Sequence, residues 1–172
     1  MSRISVLDRT TARRASLLGS FGESLAENVL RAAGFTNIQN LNRLKMNFPF
    51  GDLSAERNAE KFVISIKIRN RYEAHTGKLN ARYKLGRKCY ELAARAQAEL
   101  SATPAFLAIS LSSDLYSAYF APLAVLAGSR GIPMTSSWLS RYECLANEAR
   151  HGANTSHLKN TYLLRPNLTN AV

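Results

Sequence analysis

The sequence predicts a single-domain mixed α/β (α+β) fold, and three observations carry that prediction. Apolar residues recur at helical spacing in two segments, Phe21 to Ala33 and Arg82 to Leu100. Short segments rich in Val, Ile, Phe and Tyr lie between and after them, bounded by turn residues. The resulting order, α-β-β-β-α-β-β-α-α, mixes both element types along 172 residues, the size of one domain.

The first helix is expected over Phe21–Ala33, where Phe21, Leu25, Val29 and Ala33 form one face and Gly34 marks the stop. Ser20 followed by Glu23 is a capping-box pattern. "FTNIQNL", from Phe35 to Leu41, reads as a short strand, and "NRLKMN" as a basic loop. "GDLSAER" and "KFVISIKIR" read as the two arms of a hairpin turning at Asn58-Ala59. The second arm sets Phe62, Ile64, Ile66 and Ile68 on one face and Lys61, Val63, Ser65 and Lys67 on the other. After the loop "NRYEAHTGKLNA", the helix over Arg82–Leu100 would bury Leu85, Cys89, Leu92, Ala93, Ala96 and Leu100. "PAFLAISLS" and "LYSAYFAPL" read as strands around a Ser113-Asp114 turn. Helices are expected in Pro122–Gly128 and Ser136–Arg150, and "TYLLR" is a strand-like piece in the tail. These elements divide the chain into a basic arm (1–18), a core domain (19–150) and a tail (151–172).

Composition narrows the function. Hydrophobic residues at 46% and charged residues at 20% describe a globular chain, not a disordered one. The longest apolar runs are too short and polar to span a bilayer, and the N-terminus reads as a basic arm or organelle-type presequence, not a secretion signal. A soluble, intracellular protein, cytoplasmic or nucleoid-associated and without a membrane partner, is therefore expected. Cys89 and Cys144, both in expected helices, read as buried thiols in a reducing compartment, and His75, His151 and His157 lack zinc-type spacing. The net charge is +11, and between Arg57 and Lys88 ten basic residues face only Glu60 and Glu73. Clustering of that kind is the footprint of a polyanion, with nucleic acid foremost.

The hairpin adds geometry. A two-residue turn at Asn58-Ala59 places Asp52 opposite Ser65 and Phe50 opposite Lys67, so that Asp52, Ser65 and Lys67 share one patch. An Asp held beside a sheet next to a Lys needs a partner or a cation to offset its burial, which favours a functional role.

"GSFGESLAENVLRAAGF", "PFGDL" and "FVISIKIRNR" resemble the three signature segments of the PD-(D/E)xK nuclease superfamily. There a helix supplies a Glu, a strand supplies the Asp, and the next strand supplies (D/E)-x-K. The pattern is similar to that of the archaeal Holliday-junction resolvases and of small restriction and homing endonucleases, and it spans Gly19 to Leu111. The resemblance implies a restriction endonuclease-like fold, a mixed central sheet flanked by helices. It also implies a Mg²⁺- or Mn²⁺-dependent endonuclease acting on duplex or branched DNA, possible as a homodimer or higher homo-oligomer.

Carried over by position, the catalytic set is Glu23, Asp52, Ser65 and Lys67. Asp52 and Glu23 would hold the metal, and Lys67 would assist the attacking water. Ser65 stands where the family has its second acid, and a neutral hydroxyl is a poor ligand for Mg²⁺. Glu27, one helical turn from Glu23, is the first substitute ligand and Glu91 the second, whereas Glu56 lies about 13 Å along the strand from Asp52, too far to share an ion. Arg69, Arg71, Lys78, Arg82, Lys84, Arg87 and Lys88 would neutralise phosphates. Plain alternatives stand beside these roles: Glu23 as a cap, Asp52 as a turn residue and Lys67 as a solvated strand lysine. Two other readings remain for the whole chain, a catalytically inactive nuclease-fold binding or assembly protein and a basic RNA-associated protein of unrelated fold.

Overall fold

The computed structural model describes residues 21–44, 48–73, 76–112 and 114–151. The expected arm, Ser20 of the capping box, Ser113 of the turn and the "TYLLR" piece lie outside the described residues.

Helix α1 (residues 21–32) buries Leu25, Ala26, Val29 and Leu30 as one stripe, with Phe21 and Ala33 packed at its margins. Its end follows from the sequence. Gly34 adopts φ 81°, the amide of Gly34 donates to the carbonyl of Arg31, and that of Phe35 donates to Leu30. This pair of bonds is a Schellman motif, and the buried Phe35 and Leu30 supply its apolar contact.

β1 (Thr36–Asn40) runs into a single helical turn, α2 (Leu41–Leu44). β2 (Leu53–Arg57) and β3 (Glu60–Asn70) form the expected hairpin: Arg57 faces Glu60 and Leu53 faces Ile64. Asn58 and Ala59 both take positive φ, 54° and 63°, as a two-residue turn matched to strand twist requires. β4 (Arg82–Lys84), α3 (Cys89–Leu100), β5 (Thr103–Ser112) and β6 (Leu115–Pro122) follow. Then come a 3₁₀ turn (Leu123–Leu126), β7 (Gly131–Pro133), α4 (Ser136–Leu139) and β8 (Glu143–Arg150).

Six strands make one sheet in the order β1-β2-β3-β5-β6-β8, antiparallel except for β3 and β5, which run parallel from Phe62/Thr103 to Asn70/Leu111. β4 and β7 form a separate antiparallel pair. α1 covers one face, packing with Phe62, Ile64, Ile68, Leu107 and Ile109. α3 covers the other, with Cys89 and Ala93 near Phe106 and Ala108, and Ala96 near Val63. Covered on both sides, β3 carries a nearly continuous apolar run, and Val63 and Ser65 are buried as fully as Phe62 and Ile64.

Four expectations are corrected. Leu41, expected to end a strand, and residues 42–44, expected in a loop, form α2. The second helix begins at Cys89, not Arg82. Arg82–Lys84 instead forms β4, its alternation (exposed, buried, exposed) placing Tyr83 in the core against Ile132. Pro122–Gly128 contains only the 3₁₀ turn, which ends at Ala127 and Gly128, both at positive φ. Ser136–Arg150 is not one helix: after α4 the chain extends as β8 and pairs with β6. An apolar pattern too weak to choose helix or strand was decided by the vacant hydrogen bonds along β6.

Arg57 is a structural residue despite lying in the basic window. Its guanidinium sits 4.2 Å from the centre of the Phe35 ring and donates to Glu143 at 2.8 Å. Phe35, Phe62 and Phe120 meet edge to face beneath it, at centroid distances of 5.1–5.9 Å.

Packing at the start of β2 is tight enough to test. A Cβ added to Gly51 would stand 2.3 Å from Val63 Cγ2 and 3.2 Å from Leu41 Cδ1. Gly51→Ala is expected to lower stability by about 1–3 kcal/mol, read from urea denaturation midpoints. An unchanged midpoint would mean that Val63 and Leu41 yield without strain.

Candidate active site

The site forms where β2 begins, and the approach to it is strained. The amide of Gly51 donates to the carbonyl of Pro49 at 2.8 Å around Phe50, which adopts φ 67°. This is a γ-turn of the positive-φ kind, an uncommon conformation for a bulky residue. The turn delivers Asp52 to the edge of β3. The amide of Asp52 donates to the carbonyl of Ile64 at 2.9 Å, although Ile64 already faces Leu53. Asp52 is thus an extra residue at the end of the ladder and does not pair squarely with Ser65 as the hairpin register alone predicts. Its carboxylate Oδ2 accepts the amide of Ile66 at 2.7 Å, standing in for the backbone carbonyl that the ladder no longer offers.

Lys67 and Ser65 point to the α3 side of β3. Lys67 Nζ donates to Ser65 Oγ at 3.0 Å, and Ser65 is only 3% exposed. Burial pushes the thiol of Cys89, the first residue of α3, above its ordinary value, and the nearby Lys67 charge offsets this only in part.

Glu23 reaches the same place from α1 through a chain of amides. Asn40 Nδ2 donates to Glu23 Oε2 at 2.8 Å, Asn40 Oδ1 accepts the amide of Asn42 at 3.0 Å, and the Asn42 side chain is hydrogen-bonded to Asp52. The carbonyl of Asp52 accepts the amide of Leu41, which stands between the two asparagines. Asn40 and Asn42 were not singled out from the sequence. The available signal is two amides flanking Leu41, which is buried at 1% exposure.

Burial pushes the Asp52 carboxyl above its ordinary value, and the nearby Glu23 charge pushes in the same direction. The Ile66 amide, the Lys67 ammonium and the Asn42 amide pull it back down without cancelling the burial effect. Asp52, Glu23, Lys67 and Ser65 are therefore brought into one neighbourhood by β2, α1 and β3.

Glu27 is instead paired with Arg31 at 3.1 Å along α1. Glu56 bonds Asn37 at 2.8 Å, and Glu91 lies exposed in the first turn of α3. Among the described residues no group of three or more His, Cys, Asp or Glu forms a metal-type cluster. Of the basic residues, Arg71 is tied to Glu148 at 2.9 Å and Arg69 donates to the Ile68 carbonyl at 2.7 Å. Lys78, Arg82, Lys84, Arg87 and Lys88 are exposed.

No protein-family model and no curated protein matches the sequence. Among solved structures, a Holliday junction resolvase from the archaeal hyperthermophile Archaeoglobus fulgidus superposes with a TM-score of 0.50 at 14% identity. The match covers 72% of this chain and 90% of that one. The likeness shows a shared fold, restriction endonuclease-like. In this restriction endonuclease-like frame, a mixed six-stranded sheet flanked by helices, Ser65 and Lys67 lie on β3 and Asp52 immediately precedes β2. The reading of a basic protein of unrelated fold is set aside. No helix among the described residues is long and apolar enough to cross a membrane.

The direction of the Asp52 shift makes a pH prediction. The folded chain holds this proton to higher pH than the unfolded chain does, so between the two values the folded state binds more protons. Stability contributed by Asp52 is complete below the ordinary carboxylate value and is lost as pH rises through the higher folded value. Asp52→Asn is expected to remove that slope and leave the protein more stable at neutral pH, on the order of 1 kcal/mol. Urea midpoints across mildly acidic to neutral pH check this, and parallel curves for the two proteins would contradict it.

Proposed function

We propose that the protein is a DNA-processing endonuclease that hydrolyses phosphodiester bonds in duplex or branched DNA with Mg²⁺ or Mn²⁺. The observation that carries the reading is the half-buried Asp52 carboxylate, fixed by the Ile66 amide and near the charges of Glu23 and Lys67, in a restriction endonuclease-like fold. Likeness to a protein described as a Holliday junction resolvase supports DNA as the substrate. The excess of basic residues around and after β3 supports it independently.

The donor set fits a hard divalent ion. Glu23 lies near enough for its charge to act on Asp52, and the burial of Asp52 is what a cation would offset. Mg²⁺ is commonly held by one or two carboxylates, with waters and substrate phosphates completing its shell. When bound, the ion would supply Lewis acidity at the phosphate and acidify water. The chain's own groups do the rest. Lys67, held by Ser65 Oγ, presents a positive charge where negative charge develops on the phosphate. The Ile66 amide holds Asp52 in one orientation, and Asn40 and Asn42 hold Glu23 and Asp52 in register with each other. Exposed Lys84, Arg87 and Lys88 neutralise flanking phosphates. Cutting both strands calls for two sites, which a twofold dimer would supply.

One observation favours a second reading, a nuclease-fold DNA-binding protein without catalysis. Ser65 offers a neutral, buried hydroxyl already engaged by Lys67 where a second strand carboxylate would stand.

Plasmid or four-way-junction DNA incubated with Mg²⁺ or Mn²⁺ separates the two. Metal-dependent nicking is expected, falling about 100-fold or more in Asp52→Ala and in Lys67→Ala. Ser65→Glu is expected to raise it by restoring a carboxylate. Tight binding with no nicking in either metal would sink the enzyme and leave the binding module.

Binding itself should be strongly salt-dependent. Lys84→Ala and Arg87→Ala are each expected to reduce the slope of log affinity against log salt by about 1, measured on duplex DNA without divalent metal. A slope equal to the parent's would remove those side chains from the phosphate contacts.

A further inference from the structure

On the α3 face of the sheet, strand pairing arranges side chains in rows. Lys67, Ala108 and Tyr119 form one row across β3, β5 and β6, and Arg69, Ser110 and Ser117 form the next. Beyond these, Ser112 pairs with Leu115, and Arg71 leaves β3 beside them with its amide on Leu111. Phe106 fills this face nearer the start of β5, whereas here Ser110, Ser112 and Ser117 bring small polar side chains to a hollow.

The hollow is a pocket of about 270 Å³. Ser110, Ser112 and Ser117 line it from the sheet floor, and Tyr83, Tyr119, Arg71 and Glu148 are among the other lining residues. A cavity of about 150 Å³ holds one six-membered aromatic ring, so this one has room for a fused two-ring base. The floor begins one row beyond Lys67, about 7 Å along the strand. That is within reach of the sugar and base attached to a phosphate held at Lys67.

Two further features mark the pocket. β8 is bulged beside it: the register slips between Tyr116 and Ala118, and Glu148 adopts φ 49°, a strained conformation for a non-glycine residue. The bulge turns the Glu148 amide onto Ser117 Oγ at 3.1 Å and its carboxylate onto Arg71. Leu79, one of the lining residues, is 45% exposed and is bridged to Tyr72, which is 38% exposed.

We propose that this pocket receives a single unpaired nucleobase of the DNA strand whose phosphate lies at Lys67. Tyr119 offers a ring for stacking, the serines and Asn147 offer hydrogen bonds to base edges, and exposed Leu79 offers apolar contact to the neighbouring sugar. The proposal rests on the DNA reading above and adds to it a preference for an extrahelical nucleotide next to the cleaved bond.

The test is anisotropy of three fluorescein-labelled hairpin DNAs, without divalent metal so that cleavage plays no part. One is fully paired, one carries a single unpaired adenosine, and one carries an abasic residue at that position. The parent protein is expected to bind the adenosine hairpin about tenfold more tightly than the abasic one, the scale of one base–aromatic stack. Ser112→Leu, which fills the floor, is expected to bring those two affinities within about twofold while leaving the fully paired hairpin unchanged. Tyr119→Ala should do the same if Ser112→Leu does not fold. Equal affinity of the parent for adenosine and abasic hairpins overturns the pocket but leaves DNA binding intact. No binding to any hairpin overturns the DNA reading as well.

Discussion

The structure depends on one strand that has no free side. β3 is paired along its first part with β2, along nearly its whole length with β5, and is covered by α1 on one face and α3 on the other. Such a strand cannot slip by one residue without moving Ile64 and Ile68 out of one core and Val63 out of the other. Its register is therefore fixed, and with it the positions of Ser65, Lys67 and the amide of Ile66. The parallel pairing with β5 has a second consequence. Parallel neighbours need a long crossover, so the chain must leave the sheet after Asn70 and return at Thr103. That crossover holds β4, α3 and most of the clustered basic residues, which places positive charge beside the face where Lys67 emerges.

The acid side of the site rests on different physics. Asp52 is held by a strained turn, by a backbone bond to Ile64 and by its own carboxylate on Ile66. Burial of that carboxylate is unfavourable, and the partners around it offset the cost only in part. Glu23, brought close through Asn40 and Asn42, adds like charge instead of relieving it. Strain, burial and like-charge proximity all work against folding. Arg57 shows the contrast: a charge of the same basic window, placed over aromatic rings and against Glu143, acts as mortar for the phenylalanine cluster.

The legible parts of the sequence were those with local or strictly periodic causes. Helix α1 and its stop at Gly34, the Asn58-Ala59 turn, the register of β2 on β3 and the strands β5 and β6 all follow from patterns confined to a few residues. The grouping of Asp52 with Ser65 and Lys67 followed from the same hairpin. What misled were segments whose local preference is weak. Residues 82–84 and 143–150 carry helix-compatible side chains, yet β7 and the edge of β6 supplied hydrogen bonds that a helix would have left unused.

The sequence by itself thus determined the element types of the central hairpin, the identity of Asp52, Ser65 and Lys67 as one group, and the concentration of positive charge after β3. Only the tertiary structure decided the rest. It set Asp52 out of direct pairing with Ser65 and onto Ile66, tied Glu27 to Arg31, and linked Glu23 to Asp52 through Asn40 and Asn42. It also opened a serine-floored hollow beside Lys67. The reason is one of range: a turn or a periodic face is fixed by neighbours in the chain, whereas these contacts join residues that meet only after the sheet has closed between α1 and α3.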